Sequence, residues 1–133
     1  MTNEQLIAAI LNVFPQVEGI YLFGSRAGGY ARPESDWDVG LLFPHWAQPE
    51  PMTFFDGQVT LTGKTGANLD LLNLRTVDTV MQFQVITTGQ RIFCRDELAC
   101  ALFEMYTYSR YQYLQEERKD ILSDILHRKS VYG

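Results

Sequence analysis

Residues 24–38, GSRAGGYARPESDWD, limit what this 133-residue chain can fold into more than any other stretch. The run VEGIYLFG (17–24) leads into it, and the run DWDVGLLF (36–43) leaves it and is stopped by Pro44. Both runs are rich in β-branched, aromatic and aliphatic residues and are bounded by Gly or Pro, which is typical of strands. The stretch therefore predicts two strands joined by a glycine-rich turn or short helix.

The second strand opens with two acidic residues. Side chains alternate along a strand, so Asp36 and Asp38 share one face while Trp37 points to the other. Two neighbouring carboxylates repel each other unless water, protons or cations offset their charge. Mg²⁺ takes oxygen ligands and commonly joins one or two carboxylates to substrate phosphates. Asp70 lies in NLDLLNL (68–74), a predicted neighbouring strand, and supplies a third carboxylate for such a site.

The Gly-Ser pair at the start of the stretch is suited to an anion. Gly24 has no side chain, so its backbone can approach a ligand closely. Successive N–H groups at the start of a short helix, together with the Ser25 hydroxyl, would form an anion pocket. A phosphate pocket facing metal-binding carboxylates is suited to phosphoryl or nucleotidyl transfer.

The remaining elements are predicted from apolar spacing and from end signals. The stretch 44–67 is interrupted by prolines and glycines and allows either a helix over 51–62 or a strand at QVTLT. The last helical region, 97–129, would be roughly 48 Å long, against about 30 Å for a domain of this size, so it should project or fold back. The other predicted elements are a helix over 3–14 capped by Thr2 or Asn3 and stopped by Pro15, a helix over 76–89 with Gly89 as its C-cap, and a strand over 90–94.

Composition and charge narrow the class of protein. The formal net charge is −5, which argues against a long nucleic-acid track, because such tracks are usually basic. There is no charged-then-apolar leader and no apolar run of membrane-spanning length, so we expect a soluble, cytoplasmic protein. Cys94 and Cys100 match no common zinc or redox spacing, and we interpret them as small apolar residues in a reducing compartment.

These motifs resemble those of a known family. The stretch 24–38 resembles the Gly-Ser-x10-Asp-x-Asp motif of the DNA-polymerase-β-like nucleotidyltransferases and, more narrowly, of the minimal nucleotidyltransferases (MNT). NLDLLNLR (68–75) resembles the later strand of that family, and 80–126 resembles the C-terminal part of the MNT antitoxins of HEPN/MNT toxin–antitoxin pairs. The positions that match within the motif are Gly24, Ser25, Ala27, Gly29, Ala31, Arg32, Pro33, Ser35, Asp36 and Asp38.

The resemblance implies a fold and an activity. The fold is of the α/β (α+β) class, a small mixed β-sheet flanked by helices with a long C-terminal helical region. We expect one minimal nucleotidyltransferase domain over 1–133, in which 97–129 forms a helical extension that binds a partner. The implied activity is transfer of AMP from Mg·ATP to a tyrosine hydroxyl of a partner HEPN ribonuclease toxin, with release of pyrophosphate and silencing of the toxin. A hetero-oligomer with that toxin is implied, without a membrane and without a long nucleic acid.

The resemblance also implies residue roles. Gly24 and Ser25 would hold the triphosphate, and three aspartates would bind Mg²⁺ and act in catalysis, namely Asp36, Asp38 and Asp70. Arg26 departs from the aromatic residue that the family often has there. Arg32 is open between a phosphate contact and a solvent-facing position. Trp37 is expected in the core rather than against adenine, because alternation places it opposite the carboxylates.

Three alternatives to this function are open. The chain could neutralise its toxin by contact alone, although a pure binder has no evident need of three convergent carboxylates. It could instead modify an RNA end, against which the acidic charge counts. It could also act on a small hydroxylated molecule, although a chain of this length leaves little room for a dedicated acceptor pocket. Five aromatic residues wrap most of the circumference of the last helical region, which favours partner binding over burial within this domain. They are Phe103, Tyr106, Tyr108, Tyr111 and Tyr113.

Overall fold

The structure is a computed structural model that describes the backbone of residues 1–132 and the side chains of residues 1–128. Within those residues a four-stranded mixed sheet has the order β3-β2-β1-β4. β1 is antiparallel to β2 and β4, whereas β2 and β3 are parallel. The strands are β1 (Gly19–Phe23), β2 (Trp37–Leu42), β3 (Leu69–Asn73) and β4 (Gln90–Cys94), and the helices are α1 (Asn3–Val13), α2 (Ser25–Gly28), α3 (Pro51–Thr65), α4 (Thr79–Thr88) and α5 (Glu97–Tyr132), with a 3-10 turn at His45–Ala47.

The predicted fold class is confirmed, since helices flank both faces of the small mixed sheet. α1 and α3 cover one face, where the apolar side chains of Val39 and Leu41 point from β2 into the larger core cluster. α4 and the first part of α5 cover the other face, where Val85 and Phe103 pack against Tyr21 of β1. Strand alternation supplies both layers, because successive residues of one strand point to opposite faces.

The N-terminal helix begins where the sequence predicts. The Thr2 hydroxyl accepts a hydrogen bond from the Gln5 backbone N–H at 3.2 Å, and the Gln5 side chain accepts one from the Thr2 N–H at 2.9 Å. This reciprocal capping box satisfies two donors that the first turn of a helix leaves unpaired. Leu6 and Ile10, one turn apart, are fully buried against the sheet.

The stretch 44–67, for which the sequence allowed either a helix or a strand, contains a helix. α3 has Pro51 in its first turn, where the missing proline N–H costs nothing, and ends at Gly66, which has a left-handed φ of 67°. The strand alternative for QVTLT is therefore wrong. Gly57 faces α1, and a Cβ there would overlap the Phe14 ring. Close approach of the two helices at this glycine decides between the two local preferences.

The structure corrects the interpretation of the cysteines as free apolar residues. Cys94 and Cys100 form a disulfide with Cα atoms 6.6 Å apart, and no cysteine is free within residues 1–128. Cys94 ends β4, and Cys100 lies in the first turns of α5, which folds back over the strand. Burial of Cys100, as predicted for a small apolar residue, is confirmed.

The C-terminal region is one continuous helix that projects. α5 has 36 residues and is therefore about 54 Å long. Its first part packs on the domain through Cys100, Phe103 and Thr107, all buried. Every side chain from 115 to 128 is exposed. Among the described residues, no helix is both long and apolar enough to cross a membrane.

Two glycines of α3 test the packing of this helix. Gly57→Ala should destabilise the fold by about 1–3 kcal/mol, because its methyl group overlaps the Phe14 ring. Gly63→Ala is the matched control, since nothing lies within 4 Å of a Cβ there, and it should stabilise by up to about 1 kcal/mol through helix propensity. Urea unfolding followed by circular dichroism measures both, and equal stabilisation by the two changes would contradict the contact.

Candidate active site

Two of the three predicted carboxylates are direct neighbours in the sheet. Asp38 of β2 is paired with Asp70 of β3 in the parallel register. The residues that follow them, Val39 and Leu71, are buried in the core on the opposite face. Alternation therefore turns both carboxylates to the face that carries α4 and α5.

The third carboxylate lies directly before β2 and is held by the residue directly before β3. Asn68 donates a hydrogen bond from its side-chain Nδ2 to Asp36 Oδ1 at 2.6 Å, and its carbonyl accepts from the Trp37 N–H at 2.9 Å. These two bonds continue the β2–β3 pairing beyond the end of the strands. Sequence reasoning missed Asn68, because its role depends on the parallel register, which no local pattern reports.

The three carboxylates affect one another electrostatically. Partial burial, with the negative charges of Asp70 and Asp36, raises the pKa of the Asp38 carboxyl above its ordinary value. Each cause disfavours the charged form of Asp38. Three carboxylates, in one of which burial and the neighbouring charges disfavour the charged form, are a donor set that fits a divalent cation. Within residues 1–128, no three His, Cys, Asp or Glu side chains are already arranged to hold one.

Gly24 places the turn against the acids. Phe23 is paired with Asp38 across the antiparallel β1–β2 ladder, so the next residue reaches the Asp38 side chain. Gly24 has a φ of 71°, and a Cβ there would overlap Asp38 Oδ2. Only glycine combines this backbone conformation with this contact at no cost. Ser25 follows as the first residue of α2, a helix of only four residues.

Arg26 stabilises the loop between α2 and β2. Its Nη2 donates to the backbone carbonyl of Ser35 at 2.8 Å and to those of Arg32 and Pro33 at 3.3 and 3.4 Å. Its guanidinium lies 4.3 Å from the centre of the Trp37 ring. The sequence showed Arg26 only as a departure from the family pattern, and the structure gives this departure a structural role.

Trp37 and Arg32, two further residues of the stretch 24–38, lie in opposite environments. Trp37 is 7% exposed and belongs to the larger core cluster, which confirms the prediction that it packs in the interior. Arg32 is exposed, and its backbone N–H donates to the Ser35 hydroxyl at 2.9 Å. The Arg32 side chain therefore faces solvent in the nucleotide-free chain, and both alternatives for it stay predictions.

A glycine-serine turn held against paired aspartates on a small mixed sheet is an arrangement suited to binding a nucleotide. Comparison with known protein families identifies the class of protein. Residues 5–98 match the family described as Polymerase beta, Nucleotidyltransferase, and since this is more than half of the chain, the chain belongs to that family.

The relatives include one curated protein and solved complexes. The chain is 29% identical over 126 residues to the protein adenylyltransferase MntA of Shewanella oneidensis, covering 95% of this chain and 88% of MntA. It superposes with a TM-score of 0.80 on a chain of a toxin–antitoxin crystal structure with AMP-PNP, at 28% identity over 95% of this chain and 99% of that one. For the tri-AMPylated Shewanella oneidensis HEPN toxin in complex with MNT antitoxin, the TM-score is 0.73, at 27% identity over 93% and 95% of the two chains.

The pKa shift of Asp38 has a consequence for stability. Because the folded state holds the Asp38 proton more tightly than the unfolded state, charging this group costs stability as the pH rises through its raised pKa. Asp38→Asn should therefore stabilise the metal-free protein at neutral pH, by less than about 1 kcal/mol because the site is partly open to solvent. The gain should disappear as the pH falls below the folded-state pKa of Asp38.

Urea unfolding in EDTA between pH 3 and pH 8 measures this effect. Asp56→Asn, at an exposed position of α3, is the matched control and should change little. A pH-independent difference between the wild type and Asp38→Asn would contradict the electrostatic origin.

Proposed function

We propose that this chain is an antitoxin-type protein adenylyltransferase, which transfers AMP from ATP to a tyrosine hydroxyl of a partner HEPN ribonuclease toxin in the cytoplasm and thereby neutralises it. The observation that carries the proposal is the Asp38–Asp70 pair facing Gly24, in a chain similar over nearly its whole length to an adenylyltransferase. The likeness to complexes that contain an ATP analogue or an AMPylated toxin supports the substrate and the acceptor.

In the proposed reaction the acceptor oxygen attacks the α-phosphorus of ATP in line with the leaving pyrophosphate. The oxygen–α-phosphorus bond forms while the bond from the α-phosphorus to the bridging oxygen breaks. Asp70, the most exposed strand position of the pair, takes up the proton of the acceptor hydroxyl. Gly24 and Ser25 bind the triphosphate. The first backbone N–H groups of the α2 turn donate hydrogen bonds to it. Mg²⁺ held by Asp36, Asp38 and Asp70 would supply neutralisation of the triphosphate charge and activation of the acceptor oxygen.

The partner surface in this proposal is the helical extension over 97–129 of a single domain over 1–133. The docked part of α5 exposes aromatic side chains, among them Tyr106, Tyr108 and Tyr113. The projecting part exposes two pairs of aliphatic residues one helical turn apart, Ile121 with Ile125 and Leu122 with Leu126. Among the side chains that the structure describes, none covers these residues, and a contiguous apolar stripe on a projecting helix is typical of a protein interface.

Transfer of label tests the chemistry. The chain is incubated with Mg²⁺, ATP labelled at the α-phosphate and, where the neighbouring gene encodes a HEPN-like protein, that protein. The label should be transferred to the HEPN-like protein, whereas label from ATP labelled at the γ-phosphate should not. Asp38→Asn and Asp70→Asn should each lower the transfer rate by about 100-fold or more, because each removes a group that acts on the reacting atoms. Asp56→Asn is the control and should keep the wild-type rate.

Retention of transfer by both variants would overturn the mechanism. Tight binding of the neighbour without any label would instead support neutralisation by contact alone. Absence of both label and binding would direct the search to small hydroxylated acceptors.

The stripe on α5 is tested by binding. The double change Ile121→Ser with Ile125→Ser should weaken the affinity for the HEPN partner by about tenfold or more, because two buried aliphatic anchors are lost. Glu116→Ser with Asp120→Ser is the matched control, since it has the same spacing on the same exposed helix. Calorimetry measures both, and equal affinities of the two double variants would contradict the proposed interface.

A further inference from the structure

We infer that the cavity between the end of β1, the α2 turn and α4 binds the nucleobase of the substrate, and that the side-chain amide of Gln84 selects adenine. This inference rests on the proposed function, because it assigns one part of the proposed substrate. The cavity has a volume of about 430 Å³, within the range of about 300–1,000 Å³ that is usual for ligand pockets. It is lined by Phe23, Gly24, Gly28, Tyr30, Met81, Gln84 and Thr88.

The position of the cavity connects it to the catalytic carboxylates. Gly24 is part of its wall and also contacts Asp38. Phe23, the second wall residue from β1, is the cross-strand partner of Asp38, so the two side chains lie on the same face of the sheet. A nucleotide whose triphosphate lies at Gly24 can therefore place its base in this cavity without leaving that face.

The other large cavity lacks this connection. It has about 420 Å³ and lies between the far ends of β2 and β3, the start of α4 and the first part of α5, with His45, Arg75 and Arg110 among its wall residues. Arg75 is five residues beyond Asp70, which corresponds to about 16 Å along an extended strand. None of Gly24, Asp38 and Asp70 lines that cavity.

The walls of the cavity beside Gly24 suit an aromatic ring. Phe23 and Met81 supply an aromatic face and a polarizable thioether. Tyr30 is 71% exposed, so its ring is free to stack on a base that enters. A Cβ at position 28 would overlap the Tyr30 ring, and Gly28 thus leaves room for this ring to lie back against the turn. Stacking of this kind holds every base, so it does not select among them.

Selection is assigned to the polar face of α4. Met81, Gln84 and Thr88 follow one another by one helical turn and line the cavity together, while Gln82 and Val85 on the other side of the helix are buried. The Thr88 hydroxyl already donates to the backbone carbonyl of Gln84 at 2.6 Å. Within the described residues, the side-chain amide of Gln84 forms no hydrogen bond.

An amide is the group that matches adenine. Its oxygen accepts from the 6-amino group while its NH₂ donates to a neighbouring ring nitrogen, and a glutamine pairs with adenine in this bidentate manner. On the same edge guanine presents two acceptors, O6 and N7, so an amide in either orientation can form only one of the two bonds with it. Gln84 is thus a specificity-determining residue rather than a group that acts on the reacting atoms.

The test removes the amide and the amino group separately and together. The probes are ATP and purine riboside 5′-triphosphate, which lacks the 6-amino group, and binding to the whole chain is measured by calorimetry without an acceptor. The wild type should bind ATP about fivefold or more tightly than the amino-free probe. In Gln84→Leu this ratio should fall to about 1, with the affinity for the amino-free probe unchanged.

Two further variants separate selection from general effects. Tyr30→Ala should weaken both probes by the same factor, about fivefold or more, because stacking does not depend on the amino group. Gln16→Leu, at an exposed glutamine near the opposite end of the sheet, should keep the wild-type affinities and the wild-type ratio. Circular dichroism checks that each variant is folded.

The outcomes distinguish this inference from the proposed function. An unchanged ratio in Gln84→Leu, with ATP still bound and AMP still transferred by the wild type, would overturn the role of Gln84 alone. An equal loss for both probes in Gln84→Leu would also overturn it, since the amide would then serve the general shape of the cavity. Failure of the wild type to bind either probe would overturn the proposed function together with this inference.

Discussion

The register that pairs Asp38 with Asp70 is the constraint on which the rest of the structure depends. Two like charges lie side by side, and burial together with Asp70 and Asp36 raises the pKa of Asp38. The ladder between β2 and β3 holds them there, because Val39 and Leu71 on the other face are fixed in the core. A shift of one residue would bring the carboxylates into the core and the apolar side chains to the surface. The hydrophobic layer beneath α1 and α3 thus sets the geometry of the site and offsets its electrostatic cost.

The turn that faces these carboxylates is held by equally specific contacts. Gly24 combines a left-handed backbone with close contact to Asp38, a pairing that a side chain at this position would prevent. Arg26 joins three carbonyls of the following loop and lies over Trp37, which is itself anchored in the core. The loop of 24–36 is therefore ordered from both ends. A phosphate site built from backbone groups needs such order, because its donors are placed only by the path of the chain.

Local signals predicted much of this fold and most of the site. The helix start at Thr2 or Asn3, the strand ending at Gly24 and the Asp-x-Asp pair each depend on signals within a few residues, and each was located from the sequence. The conformation of the stretch that forms α3 was not settled from the sequence, because its prolines, its glycines and the run QVTLT support two local conformations. Its contact at Gly57 with Phe14 is made between elements 43 residues apart in the chain (57 minus 14). The disulfide between Cys94 and Cys100 was not predicted for a related reason, since it depends on how α5 folds back over β4.

Asn68 and Arg26 show the same limit within the site itself. Asn68 reaches Asp36 only through the parallel pairing of β2 with β3, and Arg26 reaches the carbonyl of Ser35 only once the loop has closed. Neither residue type at its position suggests a role in isolation. The residues proposed to carry the chemistry were therefore recognisable from spacing, whereas those that position them required the fold.

The long helix joins the site to a surface far from it. Arg91 of β4 forms ion pairs with Glu97 at 2.9 Å and with Glu104 at 3.2 Å, and Phe83 of α4 stacks on Tyr111. These contacts fix the first part of α5 to the same sheet that carries the aspartates. A helix continues rigidly over several turns, so the projecting part inherits this orientation. A partner bound along the apolar stripe would consequently be held in a defined position relative to Asp38 and Asp70. A fixed approach of its acceptor hydroxyl to a bound nucleotide would then increase the rate of transfer, because the reacting groups no longer have to find each other by diffusion.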